Sequence, residues 1–311
     1  MKRGIEIKGL MTAQLSLALV CASLWCALAS AETSPLVVVY PEVRQPFAQV
    51  YQTIADGAEQ GYGSAVHRLE LANGLNSIDL IGSYENEIVI ALGGRPVKQL
   101  LGKKLGHPLI VGAISVSIDG VLGLTMVPDP EAIVQRLQVL VPSVKNIYVV
   151  DRPKGNVMNV ATAKVALEEL GLNLVIKQAA DIRDAAIVYR ELVEHLDADD
   201  SVWILPGDRF VNNALLSMLL EASWKSDFVV FSSNPTHVKR GALFSVYPDN
   251  FKMGVRLGEI ALGRAQGNEQ APAMEPLTNV FVTVNERTSN HLGITLTDDK
   301  MDYIDLVLPA R

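Results

Sequence analysis

Cysteine is almost missing from this sequence. Its 311 residues include two cysteines, Cys21 and Cys26, and both lie in an apolar stretch close to the N-terminus. The rest of the chain therefore has no disulfide, no thiolate metal site and no cysteine nucleophile. Its stability must come from an apolar core, which a chain of this length can supply.

Catalytic and metal-binding motifs are also missing. The five histidines, at positions 67, 107, 195, 237 and 291, show no i, i+4 spacing, so the sequence predicts no metal site. There is no G-x-S-x-G elbow, no Walker A loop and no G-x-G-x-x-G, because Gly61-Tyr62-Gly63 lacks the third glycine. We predict a protein that is not an enzyme and uses no cofactor. A hydrolase whose residues meet only in the folded cleft stays open as an alternative.

The N-terminus carries the features of a secretory leader. Lys2, Arg3 and Lys8 precede an uncharged apolar stretch at residues 10–28, and Ala29-Ser30-Ala31 follows it. This pattern predicts a signal peptide over residues 1–31 with cleavage after Ala31, and a periplasmic mature protein. The alternative is an uncleaved membrane anchor, since the apolar stretch is nearly long enough to span a bilayer.

The charge balance is acidic. The whole chain has a formal net charge of −7, and residues 1–31 contain three positive charges and one negative, so the mature chain has −7 − 2 = −9. An excess of negative charge disfavours binding to nucleic acid or to anionic lipid surfaces.

Short β-rich runs alternate with helical patterns along the remaining chain. The predicted strands are residues 36–40, 66–71, 87–92, 107–112, 146–150, 173–177, 201–205, 228–231, 242–246 and 280–284. The predicted helices are residues 47–59, 97–101, 130–141, 157–170, 182–196, 211–223 and one that follows the turn at 248–250. Such alternation predicts an α/β fold with mainly parallel sheet.

The pattern begins again near residue 128, where Asp129 is placed to cap a helix and Pro130 to occupy its first position. We therefore predict two α/β sets. Residues 232–235 and 239–241 are interpreted as a turn and a basic bend, residues 267–276 as a polar loop, and the chain after residue 284 as an irregular tail.

Polar clusters follow many of the predicted strands, where open α/β sheets bind ligands. The candidate ligand-binding residues are Arg44, Gln45, Gly94, Arg95, Ser115, Ser117, Asp151, Arg152, Asp208, Arg209, Phe210, Ser232, Ser233 and Asn234. Each also has a structural explanation, because such residues form turns and cap helices. If the two sets face each other, the clusters converge on one crevice, and their arginines suit a carboxylate or phosphate.

Aromatic residues near these clusters have two possible roles. Phe210 follows the Asp208-Arg209 loop and is placed either to stack on a ligand or to pack. Trp203 lies within a predicted strand and belongs to the core, and Trp224 ends a predicted helix and packs. The spacing of Phe47 and Ile54 places both residues on one face of the predicted helix at residues 47–59.

Several segments resemble a known family. They are residues 142–150 (PSVKNIYVV), 205–208 (LPGD), 238–243 (VKRGAL), 254–262 and 290–294. Through them, residues 142–262 resemble ABC-transporter substrate-binding proteins with the type I periplasmic-binding-protein fold, in the tryptophan- and tyrosine-binding-like group. The resemblance is weak over residues 36–120.

The resemblance implies two Rossmann-like lobes joined by three hinge crossings near residues 127, 236 and 283. The N-lobe would contain residues 32–127 and 237–282, and the C-lobe residues 128–236 and 283–311. It also implies that a monomer captures a small molecule by hinge closure and delivers it to an ABC permease in the inner membrane.

The lining differs from the family pattern. The loop in which the family has acidic residues reads Ser233-Asn234-Pro235-Thr236, and Gly93-Gly94-Arg95 stands where small neutral residues are usual. We therefore expect an anionic organic ligand rather than an aromatic amino acid. The alternative is a periplasmic sensor or assembly module that keeps the fold without a transport role.

Overall fold

The structure is a computed structural model that describes residues 36–72, 81, 84, 87–105, 109–153, 160–268 and 273–309. It contains two β-sheets, one of six strands and one of seven, each packed against helices. The predicted α/β fold with two sets is therefore confirmed. The signal peptide with its cleavage site, residues 107–108 of one predicted strand and residues 157–159 of one predicted helix lie outside the described residues.

The first sheet is entirely parallel, with the strand order β11-β5-β4-β3-β1-β2. Its strands are β1 (Leu36–Pro41), β2 (Val66–Leu71), β3 (Ile88–Leu92), β4 (Ile110–Ile114), β5 (Leu122–Pro128) and β11 (Met274–Leu277). Three helices pack against it: α1 (Phe47–Tyr62), α2 (Gly94–Leu100) and α8 (Asn250–Ala265).

The second sheet has the order β13-β12-β10-β9-β8-β6-β7, and within it β10 and β12 pair antiparallel. Its strands are β6 (Asn146–Asp151), β7 (Asn173–Gln178), β8 (Asp200–Ile204), β9 (Val229–Ser232), β10 (Phe244–Pro248), β12 (Val280–Asn285) and β13 (Leu306–Leu308). The other helices are α3 (Pro130–Leu140), α4 (Val160–Glu169), α5 (Ile182–Val193), α6 (Asn213–Ser226), α7 (Pro235–Arg240), α9 (Glu286–His291) and α10 (Asp298–Met301).

The central strands are apolar on both faces because helices cover both faces of each sheet. In β1, Leu36 and Val38 face α1 and α8, whereas Val37 and Val39 face α2. Within the described ranges, no helix is long and apolar enough to cross a lipid bilayer.

The chain passes between the sheets three times, and backbone hydrogen bonds tie the crossings together. The first crossing follows β5 and the second follows β10, while the third connects β11 to β12. The N–H of Asp129 donates to Leu277 O (2.8 Å), and the N–H of Asp249 donates to Asn279 O (3.2 Å). Both aspartates also cap the helices that follow them, as predicted for Asp129.

The predicted position of the second crossing is wrong. We expected residues 238–246 to return to the first lobe, but β10 pairs with β9 and β12 in the second sheet. The reason is local: Asn234 caps α7, Pro235 begins it, and Gly241 ends it at φ 125°. The expected turn and basic bend are thus one short helix, which brings β10 alongside β9. The crossing comes at Asp249.

Further elements were missed in sequence. The expected polar loop at 267–276 contains most of β11, which lies at the edge of its sheet, where proline is tolerated. β5 was not predicted. The expected irregular tail contains α9, α10 and β13.

Candidate functional site

The crossings indicate at which edges of the sheets a candidate ligand site lies. β5 and β10 both leave their sheets at their carboxyl ends and run directly into a crossing. Because strands in a parallel sheet share one direction, the carboxyl edges of the two sheets lie on the side of the crossings, where open α/β sheets bind ligands. Most of the predicted site residues lie at these two edges.

Asp208 lies in the loop after β8 and organises it. One oxygen of its carboxylate accepts hydrogen bonds from the backbone N–H groups of Phe210 (2.6 Å) and Val211 (2.8 Å). Burial raises the pKa of this carboxyl group, although the two hydrogen bonds lower it in part. The negative charge of Asp151 raises the pKa further, and the positive charge of Arg152 lowers it. Asp208 therefore shapes the loop, while Asn212 caps the following helix. The capping role considered for Asp208 is thus taken by Asn212.

Arg152, after β6, lies against this loop. Its guanidinium carbon is 5.3 Å from the centroid of the Phe210 ring. Phe210 is only 3% exposed and belongs to the core, so its ring is not available to a ligand. It instead makes a cation–π contact with the guanidinium of Arg152. Among the described residues, Arg152 has no ion pair, and the carboxylate of its neighbour Asp151 accepts the backbone N–H of Arg152 (2.7 Å). Arg209, in the loop after β8, is exposed.

The loop after β9 is held by His237. The Nδ1 atom of His237 lies 2.8 Å from Ser232 Oγ, which also accepts the backbone N–H of Asn234 (3.1 Å). Burial, and then the charge of Arg240, lower the pKa of His237. Ser232 is 1% exposed, so the Ser–His pair is structural and its hydroxyl does not reach a substrate. Ser233 Oγ is buried and has no hydrogen-bond partner among the described residues.

The predicted site residues of the first sheet divide into two groups. Arg44, Gln45, Ser115 and Ser117 are exposed at the carboxyl ends of β1 and β4, and Gly94 is exposed at the start of α2. In contrast, Arg95 donates to the backbone carbonyl oxygens of Leu71 (3.4 Å) and Ala72 (2.6 Å) at the end of β2. Its guanidinium therefore fixes an edge strand.

Sequence reasoning missed an apolar surface at the same edge. Val43 is 37% exposed, Phe47 67% and Val116 51%. Phe47 is exposed because it stands in the first turn of α1, and residues further along the same helical face, such as Ile54, belong to the core. Tyr51, one turn after Phe47, lies over Gly93, where a Cβ atom would be 2.7 Å from the tyrosine hydroxyl. The position of Phe47 at the very start of its helix was the available signal.

The described residues contain no group of three or more His, Asp or Glu side chains that could hold a metal ion. The edges instead present arginines, hydroxyl groups and apolar side chains. Such a set can bind a small molecule through ion pairs, hydrogen bonds and apolar contact.

Comparison with known proteins agrees with the fold. Residues 94–305, more than half of the chain, match the family described as ABC transporter substrate binding protein. No curated protein matches the sequence. Three solved structures are similar to it at low identity, which shows the fold.

One of the three is an ABC domain in complex with L-Trp from Streptococcus pneumonia, with 20% identity, TM-score 0.56, and 88% of this chain and 100% of that chain covered. Another is the ligand-free, open form of a substrate-binding protein with adhesive properties from Clostridium difficile, with 17% identity, TM-score 0.62, and 88% and 99% covered. A conserved domain protein from Vibrio cholerae has 17% identity, TM-score 0.53, and 88% and 99% covered.

The fold is thus that of the type I periplasmic binding proteins, as the sequence resemblance implied. The family match covers the strand-end loops of the second sheet as well as all three crossings. This chain belongs to the family of ABC transporter substrate-binding proteins.

Proposed function

We propose that this protein captures a small organic anion between its two lobes and holds it by closure about the three crossings. Substrate-binding proteins of this family bind small ligands, work with an ABC permease and are not enzymes. The finer proposal concerns the chemistry of the ligand and the movement that retains it.

The proposal of an anionic ligand rests on one observation, the exposed guanidinium of Arg152. It is exposed at a strand end, rests on a buried ring and has no ion pair in the described part of the chain. A guanidinium offers two parallel N–H groups to a carboxylate or phosphate. Arg44, exposed at the carboxyl end of β1, would add positive charge from the other lobe.

Closure is supported by the way in which the chain connects the two sheets. Three short segments pass between them, tied by the two backbone bonds to Leu277 O and Asn279 O. Hinges of this kind change a few backbone angles while each lobe keeps its own core. We propose that Gln45, Gly94, Ser115, Ser117, Arg209, Ser233 and Asn234 line the closed cleft.

A thermal-shift screen tests the proposal. Protein beginning at Glu32 would be screened against organic acids, phosphate esters, amino acids and sugars. We expect an organic anion to raise Tm. At a ligand concentration a hundred times its Kd, binding adds about 2.7 kcal/mol to the free energy of unfolding. Arg152→Gln should remove the shift and Arg190→Gln, an exposed arginine on α5, should keep it. If no compound shifts Tm, the proposed function is rejected.

We further propose that residues 1–31 direct export to the periplasm, where family members typically act, and that the mature protein is a monomer. The mass of the protein purified from the periplasmic fraction should correspond to a chain beginning at Glu32. Light scattering should give the mass of one copy. A membrane-bound full-length chain would instead support the anchor alternative.

A further inference from the structure

We infer that the ligand is a carboxylate with an apolar body, whose charged end binds Arg152 and whose body lies on Val43, Phe47 and Val116. This inference rests on the proposed function and narrows it. It assigns Val43, Phe47 and Val116 (the apolar wall) as the residues that determine specificity.

The exposure of the apolar wall is the first observation. Phe47 is the most exposed large apolar side chain in the described part of the chain, at 67%. Single exposed apolar residues are common on protein surfaces. The apolar wall is different, because its three residues follow strands of the same sheet at the same edge, the edge that faces the crossings.

The position of the strands is the second observation. Counted outward from the crossing strand, the first sheet runs β5, β4, β3, β1 and the second runs β10, β9, β8, β6. β1 and β6 are both fourth in this count. Val43 and Phe47 therefore follow the strand whose position in its sheet matches that of the strand before Arg152. Closure would bring the Phe47 ring towards the guanidinium on its Phe210 support.

The distribution of charge is the third observation. The loop from Ser232 to Thr236 contains no carboxylate. An ammonium group would thus find no counter-charge within the loop after β9. A carboxylate needs none there, and an apolar body suits the wall.

A graded ligand series tests the inference by calorimetry on protein beginning at Glu32. The probes are acetate, butyrate, phenylacetate and 3-phenylpropionate, with gluconate, phenylacetamide and L-phenylalanine as comparisons. We expect affinity to rise with the apolar area of the carboxylate. Phenylacetamide, which lacks the charge, and gluconate, which lacks the apolar body, should bind more weakly than phenylacetate.

The variants separate the two contacts. Phe47→Ala should weaken 3-phenylpropionate binding by about five- to thirtyfold, because the apolar contact between the Phe47 ring and the phenyl group of the ligand is lost. Acetate has no phenyl group, so its binding should change little. Arg152→Gln should weaken all the carboxylates. Ile187→Ala, which removes a similarly exposed apolar residue from α5, is the matched control and should change neither.

The outcomes distinguish this inference from the proposed function. A flat carboxylate series, tighter binding of gluconate or L-phenylalanine than of phenylacetate, or an unchanged Phe47→Ala would overturn the inference. In those cases another compound that raises Tm in the broader screen would leave solute capture in place. Binding of no compound in either experiment would reject both.

Discussion

A Cβ atom added to Gly57 would lie 3.0 Å from the Cα atom of Gly254 and 2.0 Å from the carbonyl oxygen of Phe251. The relationship is reciprocal, because a Cβ at Gly254 would lie 2.0 Å from Ile54 O. Helices α1 and α8 therefore touch backbone to backbone. α1 begins at Phe47 in the apolar wall and α8 begins at the second crossing, so this contact joins the second crossing to the edge of the first sheet that we propose to bind the ligand.

Replacing either glycine by alanine should be strongly destabilising, because the obstacle is backbone and cannot rotate away. For Gly254→Ala we expect a loss of about 2–4 kcal/mol in the free energy of unfolding, measured by urea denaturation. Gly94→Ala is the control, since a Cβ there meets no atom within 4 Å. Equal stabilities of the two variants would show that the helices separate easily.

The carboxyl group of Asp208 should make stability fall as pH rises. Burial raises its pKa in the folded protein above the ordinary 3.8. Between the unfolded and the folded pKa, the folded state therefore binds more protons than the unfolded state. Stability from this group is therefore greatest below that window and declines through it. Asp208→Asn, which keeps an oxygen acceptor for the two N–H groups, should give a flatter curve of unfolding free energy against pH above the ordinary pKa of 3.8. A curve as steep as that of the parent would contradict this.

His237 should act in the opposite direction. Its pKa is lowered from the ordinary 6.5 by burial and by Arg240, so the unfolded state binds more protons and stability is lost as pH falls below that value. The loss should appear between about pH 7.5 and about pH 5 in urea denaturation. His237→Gln should reduce this loss, whereas replacing the exposed His195, two residues after the end of α5, should not. Equal acid sensitivity in both variants would exclude His237 as the cause.

Arg95 should contribute more to stability than to ligand affinity. Because it binds the carbonyl oxygens at the end of β2, Arg95→Ala should cost about 1–2 kcal/mol and accelerate amide exchange in residues 66–71. Lys98→Ala, an exposed neighbour on α2, is the control. Loss of ligand binding without faster exchange would instead place Arg95 in the cleft.

Much of the fold was predictable because periodicity reports burial. The apolar strand at residues 36–40 and the capped helix after Asp129 follow from local sequence alone. β11 was missed because Pro276 reads as a loop residue, although an edge strand has one side without partners and accepts proline. The second crossing was misplaced because which sheet β10 joins depends on pairing with β9 and β12, which no local pattern encodes.

The candidate site was predictable only by location. Strand ends pointed to Arg152 and Asp208, but not to the contacts that separate their roles. The sequence left open whether Phe210 stacks on a ligand or packs, because its exposure depends on residues distant in sequence that share its core cluster, such as Tyr189. Phe47 fits an apolar helical face, and only its place in the first turn leaves it outside the core.

The placement of the aromatic residues has an optical consequence. Trp203, stacked on Phe231, and Trp224, stacked on His291, both belong to the second sheet and its helices. The described part of the first sheet and its helices contains tyrosines, such as Tyr40 and Tyr51, but no tryptophan. In protein beginning at Glu32, which lacks Trp25, tryptophan emission should therefore report on one lobe alone. Comparing it with circular dichroism would reveal whether the two lobes unfold together or one after the other.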